Sequence, residues 1–355
     1  MLEWEKEGHY PQEIIEQGIE MGLHMLQVPE EYGGMGLDTT TAAMMIEEGA
    51  KVESTFMGMF NVTSMGGKIV MAAGNEEQKQ YYSGLLQKGY LSSFCLTEPD
   101  AGSDSAAVRT TAVRKGDSYV INGTKMFITN ASLASVFLVV ATLDPSKGSK
   151  GLATFIVEKD RPGVTVGKKI EKIGMRLSNT AEVIFDNVEI PAFNLIGTEE
   201  GGFANAMKVL TASRPIIAAS SLGACQLARD LAIQYSKERI AFGKPICAKQ
   251  MIQEKLALMA IKIDNMRNMV LKVAWQADQH QSLRTSAALA KLYCARTAME
   301  VIDDAIQIMG GLGYTDEARV SRFWRDVRCE RIGGGTDEIM IYVAGRQILK
   351  DYQNK

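Results

Sequence analysis

Residues 94–104 read Phe-Cys-Leu-Thr-Glu-Pro-Asp-Ala-Gly-Ser-Asp, and they lie where the pattern of the chain changes. Up to about residue 90 the pattern is helical, whereas from about 91 to 195 it is that of β-strands. Residues 136–140 and 152–157 are continuous apolar runs of strand length. The stretch itself combines hydroxyl side chains with proline and glycine, which indicates a polar turn beside a strand. From its residues alone it is either a structural turn or a loop whose hydroxyls and backbone N–H groups bind a ligand.

The helical pattern returns after Gly201. Apolar side chains then repeat by threes and fours along two stripes, formed by Leu256, Met259, Ile263, Met266, Val270 and Val273 and by Ala288, Leu292, Ala295, Met299, Ile302 and Ile306. Such stripes predict antiparallel helices packed in a bundle. Earlier in the chain, the glycines of residues 33–36 exclude a continuing helix, and Asn122-Gly123 predicts a tight hairpin.

These patterns predict a fold that is mainly α with a central β domain. We expect an N-terminal helical domain over residues 1–92 and a middle β-barrel-like domain over 93–197. A C-terminal four-helix bundle is expected over 198–355.

Composition narrows the class of protein. The 355 residues are 46% hydrophobic and 23% charged, with a net charge of −3, which is ordinary for a globular protein and favours neither nucleic acid nor anionic membranes as partners. No uninterrupted apolar run is long enough to span a bilayer, and the acidic N-terminus is unlike a signal or transit peptide. Five dispersed cysteines predict reduced, mostly buried thiols. We therefore expect a cytoplasmic protein without membrane insertion.

Two common kinds of ligand site have no sequence signal. Residues 310–313, Gly-Gly-Leu-Gly, lack the GxGxxG spacing and follow a helical stripe rather than a strand, so they do not predict a dinucleotide fold. The three histidines are too far apart to suggest a zinc motif, and we expect no metal site. Any nucleotide cofactor is therefore held in another way.

Residues 94–104 resemble the first signature of the acyl-CoA dehydrogenases, a Thr-Glu-Pro-x-Ala-Gly-Ser-Asp loop, with Asp100 in place of the usual glycine. Residues 125–130 resemble that family's Trp-Ile-Thr-Asn strand, with Phe127 in place of tryptophan. The resemblance implies an FAD enzyme in which Leu96 and Thr97 lie against the flavin ring. It also implies that Phe127 covers one face of the ring and that the Thr129 hydroxyl reaches its N5 side.

Further matches extend the resemblance from about residue 10 to 349, in the family's order. Arg239-Ile-Ala-Phe-Gly is similar to the element that reaches the FAD of a neighbouring subunit, and Gln250 and residues 307–311 are similar to other such segments. A homo-oligomer, a tetramer by analogy, is therefore implied. The residues implied to contact FAD are Leu96, Thr97, Ser103, Phe127, Ile128, Thr129, Arg239, Phe242, Gln250, Gln307, Gly310, Gly311, Gly335, Thr336 and Glu338. From the usual family length, we expect about one more N-terminal helix than this sequence contains.

The resemblance also implies which residues contact the acyl-CoA substrate. Residues 175–180 resemble a loop whose serine touches coenzyme A, and residues 211–214 fall on a helix whose arginine organises the acyl-CoA cleft. The residues implied to contact substrate are Ser103, Ser178, Ser213, Arg214 and Gly334. The implied reaction interconverts an acyl-CoA and its 2,3-enoyl-CoA by hydride transfer between substrate Cβ and flavin N5, with electron-transferring flavoprotein as electron partner.

The catalytic base of this reaction is missing from both of its usual positions. Residues 331–338 read Arg-Ile-Gly-Gly-Gly-Thr-Asp-Glu, and Gly334 stands where most members of the family carry the glutamate that removes the α-proton. Other members carry it on the helix, at the position of Ser213, and serine is not ionised near neutral pH. Asp337 and Glu338 are nearby in sequence, but Glu338 falls where the family has a flavin-contacting glutamine. The catalytic residue is therefore unknown at this point.

Three functions are compatible with this pattern. The first is an enoyl-CoA reductase whose substrate is protonated by water or an unidentified acid; residues 252–257 and 321–326 are similar to crotonobetainyl-CoA reductases. The second is a dehydrogenase for a branched, cyclic or aromatic acyl group, with its base on another loop and with space left by Gly333 and Gly334. The third is a catalytically silent flavin- or acyl-CoA-binding assembly partner.

Overall fold

The computed structural model describes residues 2–353, and its N-terminal part is helical. The helices are α1 Leu2–Glu7, α2 Gln12–Glu20, α3 Thr39–Ala73 and α4 Glu76–Gln87. The Asp38 carboxylate accepts the Thr41 N–H at the start of α3, and Asn75 begins α4 with a capping box. The predicted glycine-rich break precedes α3 and is confirmed.

The middle of the chain forms one sheet of eight strands. The strands are β1 Leu91–Cys95, β2 Thr111–Lys115, β3 Ser118–Thr129, β4 Ala134–Thr142, β5 Leu152–Glu158, β6 Val164–Val166, β7 Thr180–Pro191 and β8 Leu195–Ile196. Their order is β6-β7-β3-β2-β4-β5-β8, and β1 pairs in parallel with β4.

The apolar runs of β4 and β5 are continuous because both faces of these strands are covered. Phe137 and Phe155 point into the core of the sheet itself. Their neighbours Leu138 and Ile156 point the other way and pack with Ile69 of α3 and other helical side chains. A strand buried on both faces has no reason to alternate polar and apolar residues. The helices and the sheet are thus packed tightly enough to hold the loops between them in place.

The hairpin predicted at Asn122-Gly123 is wrong. Both residues lie inside β3, where the register with β7 shifts, and the turn between β2 and β3 is at residues 116–117. Gly123 has φ +154°, and a Cβ there would lie 2.4 Å from the Thr110 Oγ1. The glycine therefore serves a bulge and a close approach of two strands rather than a turn.

The C-terminal part is helical apart from a small hairpin. Its elements are α5 Gly202–Glu238, β9 Ile240–Ala241, β10 Lys244–Pro245, α6 Gln250–Asp278, α7 Arg284–Met309, α8 Arg319–Glu330 and α9 Asp337–Gln353. The two predicted stripes lie on α6 and α7, and most of their buried members share one core with Phe60 of α3 and Leu222 of α5. The predicted fold, helices around a central β domain, is confirmed.

Helix α5 has the length and hydropathy of a membrane-spanning segment, with a mean hydropathy of 1.3 in its most apolar window. In the structure 67% of that window is buried inside the protein. Its apolar character is therefore accounted for by packing in the bundle core.

Candidate active site

The loop after β1 lies against the C-terminal end of β3. The Met126 N–H donates to the Thr97 carbonyl at 2.8 Å, and the Ser93 hydroxyl donates to the Thr129 carbonyl at 2.7 Å. Between these contacts the pairing of β3 with β7 shifts register, and Phe127 adopts φ +58° with 62% of its surface exposed. A bulky residue in this backbone region is uncommon and marks strain of the kind found at ligand sites. An uncovered aromatic ring therefore stands beside Thr97.

A buried ion pair fixes the backbone below this surface. The Lys125 Nζ lies 2.7 Å from the Glu98 Oε1 and donates to the Leu96 carbonyl at 3.1 Å, and Lys125 is completely buried. Glu98 also accepts the backbone N–H groups of Arg109 and Thr110. Burial opposes ionisation of Glu98, but Lys125 and these donors outweigh it and hold the pKa of that carboxyl below its ordinary value.

The sequence patterns did not single out this pair. A lysine inside a predicted strand was the available signal, because a charged side chain there is either at an edge or paired in the interior. The remaining loop residues are less enclosed: Ser103 is exposed, and Ile128 points its side chain into the sheet core.

Helix α5 and the glycine loop 333–335 face each other across a second part of the site. Gly334 has φ +67°, and a Cβ there would lie 2.7 Å from the Ile217 Cδ1. The Arg214 Nε lies 3.5 Å from the Gly334 carbonyl oxygen, and Arg214 is buried, which lowers the pKa of its guanidinium to about 10. The position at which the family carries its loop glutamate therefore faces α5. In this chain that position is a glycine and has no side chain.

Ser213, on the same helix, offers no substitute for a carboxylate. Its side chain is buried, and its hydroxyl donates to the Leu210 carbonyl at 2.9 Å within α5. None of the described neighbours hydrogen-bonds to Ser213 as a base. Both usual positions are thus non-acidic in the folded chain as well as in the sequence.

The two acids that follow the glycines are also unsuited to accept the α-proton. The Asp337 Oδ2 accepts from Arg296 at 2.9 Å and from Arg331 at 2.8 Å. Burial alone would raise its pKa, but the two guanidinium groups hold it below the ordinary value. Glu338 is exposed in the first turn of α9. Asp337 therefore anchors the loop to α7, which the sequence did not reveal.

Three family models match the chain: acyl-CoA dehydrogenase N-terminal domain over residues 1–89, middle domain over 93–188 and C-terminal domain over 200–349. The chain belongs to the acyl-CoA dehydrogenase family.

Individual relatives agree with this assignment. A probable acyl-CoA dehydrogenase of Escherichia coli, YdiO, is 53% identical over 352 residues, covering 99% of this chain and 92% of the relative. Probable acyl-CoA dehydrogenase YngJ of Bacillus subtilis is 43% identical, covering 97% and 91%. Butyryl-CoA dehydrogenase from Megasphaera elsdenii superposes with a TM-score of 0.95 at 37% identity, covering 98% of this chain and 93% of that structure. The protein is accordingly an FAD-dependent oxidoreductase of acyl-CoA CH–CH bonds.

The surface formed by the loop after β1 and the end of β3 fits a flavin ring. Phe127 offers an uncovered ring, and the Thr97 and Thr129 segments are fixed beside it by backbone hydrogen bonds. Flat aromatic contacts and backbone donors are what a protein contributes to flavin chemistry. The Ser178 side chain is buried in the loop before β7, and its carbonyl accepts from Lys172 at 2.9 Å.

Of the other residues that the resemblance implies to contact FAD, Gly335, Thr336 and Glu338 lie at the glycine loop and the start of α9, and six lie at the far end of the bundle. Arg239 ends α5, and Phe242, at φ +52°, is 95% exposed in the β9–β10 hairpin. Gln250, Gln307, Gly310 and Gly311 are exposed at the adjoining ends of α6 and α7. At about 1.5 Å per residue, Arg239 is roughly 39 Å along α5 from Ser213. Arg239 and its neighbours are therefore far along the bundle from the cleft at Ser213.

Proposed function

We propose that this acyl-CoA dehydrogenase homologue works chiefly as a 2-enoyl-CoA reductase. The observation that carries the proposal is the pairing of Gly334 with Ser213: neither position that faces the substrate cleft holds a carboxylate, while the loops around Thr97 and Phe127 are complete. FAD, when bound, supplies and accepts the hydride. The chain's own residues orient the thioester and control the proton.

The proposed direction is argued from the proton transfer that oxidation and reduction each require at Cα. Oxidation must remove a weakly acidic proton from Cα, and a positioned general base contributes about a hundred- to ten-thousand-fold to such a step. Reduction places negative charge on the thioester, which takes a proton from any nearby acid. The missing glutamate would act as the acid in reduction, so its absence removes a positioned group from both directions; our preference for reduction rests on the readiness of water to protonate the reduced thioester. Arg214, buried against the glycine loop, is suited to hold that loop at the substrate.

Space beside the glycines supports a bulky acyl group as substrate. A Cβ added at Gly333 would meet no atom nearer than the Cys329 carbonyl oxygen at 3.6 Å. Tyrosine in place of Gly333 would fill this space, whereas the Ile217 Cδ1 already lies where a side chain at Gly334 would begin. Branched, cyclic or aromatic enoyl-CoA thioesters are therefore our preferred substrates, and oxidation of the matching acyl-CoA is the second candidate activity.

The exposed residues at the end of the bundle support a homo-oligomer, with Arg239 and Phe242 contacting FAD of a neighbouring chain. We infer a tetramer in the cytoplasm. Electron-transferring flavoprotein is the proposed electron partner; a chain from a structural study of that flavoprotein from Acidaminococcus fermentans is 38% identical, with a TM-score of 0.95.

The test follows the two half-reactions under anaerobic conditions. Reduced holoprotein is mixed with crotonyl-CoA and cinnamoyl-CoA, oxidised holoprotein is mixed with the saturated thioesters, and flavin absorbance is followed. We expect fast reoxidation by an enoyl-CoA and slow bleaching by its saturated partner. Rapid bleaching would contradict a site without a base, and no response to any thioester would favour the assembly role.

A further inference from the structure

The turn before β7 that ends at Ser178 is held by a side chain of α8. The Met175 N–H donates to the Oδ1 of Asp326, a buried residue of that helix. Met175 has φ +48°, a backbone conformation that a bulky residue rarely adopts without support from its surroundings. The Ser178 N–H donates to the Met175 carbonyl at 3.0 Å, which closes the turn. Asp326 therefore holds the strained first residue of a turn that ends at Ser178.

The backbone of α8 packs directly on the same turn at Gly174. A Cβ added at Gly174 would lie 2.2 Å from the Arg325 carbonyl oxygen and 2.8 Å from the Asp326 backbone nitrogen. Both atoms belong to the backbone of a helix, so they cannot turn away as a flexible side chain would. The absence of a side chain at Gly174 thus lets α8 approach the turn closely enough for Asp326 to reach the next residue of the chain.

A buried ion cluster fixes Asp326 in turn. Its Oδ2 lies 3.4 Å from the Arg322 Nε. Arg322 also pairs at 2.6 Å with Glu53, where α3 departs from helical geometry, and lies 3.7 Å from Glu5 of α1. Burial raises the pKa of Asp326 to about 6, with Arg322 opposing the rise and the two glutamates adding to it. Asp326 is therefore ionised at neutral pH, and a charged acceptor makes the stronger kind of hydrogen bond to an N–H group.

The far end of the turn is joined to the flavin surface. The Asn179 carbonyl accepts the Asn130 N–H at 2.7 Å, and the Asn179 side-chain oxygen accepts the Ser132 N–H at 2.9 Å. Asn130 follows Thr129 directly, and Asn179 follows Ser178 directly. The turn is thus fixed between α8 on one side and the end of β3 on the other, and a displacement at α8 changes the position of Ser178.

Positive charge is concentrated beside this turn. Residues 168–176 carry four basic side chains and one acidic side chain, which are Lys168, Lys169, Lys172, Arg176 and Glu171. Arg176 is exposed, and among residues 2–353 no carboxylate lies within 4.0 Å of its guanidinium group. A guanidinium group binds phosphate through paired hydrogen bonds. The turn is therefore suited to the phosphates of coenzyme A, the anionic part of an acyl-CoA substrate.

We propose that Asp326 is a positioning residue for coenzyme A: through the Met175 N–H it holds the turn that presents Arg176 and Ser178 to the nucleotide part of the substrate. Because Asp326 is buried under the turn, it acts through the turn and not by contact with the substrate. The inference rests on the acyl-CoA substrate of the family and is independent of the direction of reaction proposed above.

The main test is Asp326→Ala in the holoprotein, titrated by calorimetry with acetyl-CoA and with S-acetylpantetheine, which lacks the nucleotide. Acetyl-CoA has no Cβ and reacts in neither direction, so its affinity does not depend on the proposed reductase activity. Asp326→Ala should raise the dissociation constant for acetyl-CoA about tenfold or more, as expected for the loss of one charge-assisted hydrogen bond. The dissociation constant for S-acetylpantetheine should not change. Asp326→Asn keeps an oxygen acceptor for the Met175 N–H and should recover part of the affinity for acetyl-CoA.

Two further variants separate positioning from a loss of stability. Glu5→Gln is the matched control, because Glu5 pairs with Arg325 at 3.1 Å in the same ion cluster, whereas none of the described hydrogen bonds joins Glu5 to the turn. Its affinity for acetyl-CoA should match that of the wild type. Gly174→Ala forces α8 and the turn apart from the other side. It should weaken acetyl-CoA binding as Asp326→Ala does, and it serves as the test if Asp326→Ala does not fold.

Flavin reoxidation gives a second readout. With crotonyl-CoA, Asp326→Ala should raise KM and leave kcat unchanged, the pattern of lost uniform binding, and crotonyl-pantetheine should be reduced equally well by variant and wild type. Wild-type affinity for acetyl-CoA in Asp326→Ala or Gly174→Ala, an equal loss for the two acetyl thioesters, or an equal loss in Glu5→Gln would overturn the assignment. A wild type that binds acetyl-CoA but reduces no enoyl-CoA would overturn only the proposed direction.

Discussion

At the scale of single residues, the backbone conformation at Gly334 favours glycine, but a catalytic side chain could still be introduced there. Its φ of +67° disfavours any other residue, and the Ile217 Cδ1 occupies the place where a side chain would begin. The backbone conformation costs roughly 1–2 kcal/mol for a non-glycine residue. The contact with Ile217 is at the end of a flexible side chain, so it is relieved more easily than the backbone.

We predict that Gly334→Glu combined with Ile217→Ala oxidises butyryl-CoA faster than the wild type does. The new carboxylate would stand at the position that faces α5, and a general base there contributes about a hundredfold or more. Anaerobic bleaching of bound FAD measures the rate. Gly334→Gln with Ile217→Ala has the same shape without the charge, and equal bleaching by both double variants would contradict the prediction.

At the scale of secondary-structure elements, the bulges of β3 link the close contact between Gly123 and Thr110 with the position of the Phe127 ring. Gly123 approaches Thr110 so closely that a Cβ would lie 2.7 Å from the Thr110 Cα, which is backbone and cannot turn away. Four residues on, the same strand turns Phe127 outward. Displacing β3 from β2 at Gly123 therefore changes the position of the aromatic ring.

Gly123→Ala should destabilise the protein by about 2–3 kcal/mol or more and weaken its retention of FAD, since a buried overlap with backbone is costly. Gly116→Ala, in the turn between β2 and β3, is the matched control. Gly116 also has a positive φ, but no atom lies within 4 Å of its added Cβ, so it should cost only about 1 kcal/mol. Urea unfolding and FAD release on dilution measure both effects, and equal losses in the two variants would contradict this account.

The elements also show what can be predicted from sequence and what cannot. The stripes of α6 and α7 were readable because helical periodicity is local, and the Thr97 and Phe127 loops were readable through family resemblance. Asn122-Gly123 was misinterpreted because its dipeptide signal is the same for a hairpin and for a bulge. The Lys125–Glu98 ion pair and the hydrogen bond from Lys291 to the Gly335 carbonyl were missed, because each is assembled by tertiary packing of segments that carry no joint pattern.

At the scale of the whole molecule, FAD sites shared between chains would make two defective variants able to complement each other. Arg239→Ala removes a residue at the far end of α5, whereas Thr97→Ala alters the loop beside Phe127. Each variant alone should retain less FAD than the wild type. Co-expressed, the two should form mixed oligomers in which part of the sites combine an intact Thr97 with an intact Arg239.

The measurement is the FAD content and enoyl-CoA-dependent reoxidation of the co-expressed protein against each variant alone. Mixing the two proteins after separate purification, without subunit exchange, is the control and should restore nothing. If co-expression gives only the average of the two variants, each chain completes its own site and the shared arrangement is wrong.

Helix α5 carries Ser213 and Arg214 in its first part and is followed directly by Arg239, so its length sets the distance between the cleft and the residue that we propose contacts the FAD of a neighbouring chain. Inserting or deleting one residue between these points would turn the far end by about 100° and slide it about 1.5 Å. Arg239 would then point away from the neighbouring chain even though every side chain in the cleft were intact. Natural variation in this stretch is therefore expected as substitutions and not as changes in length.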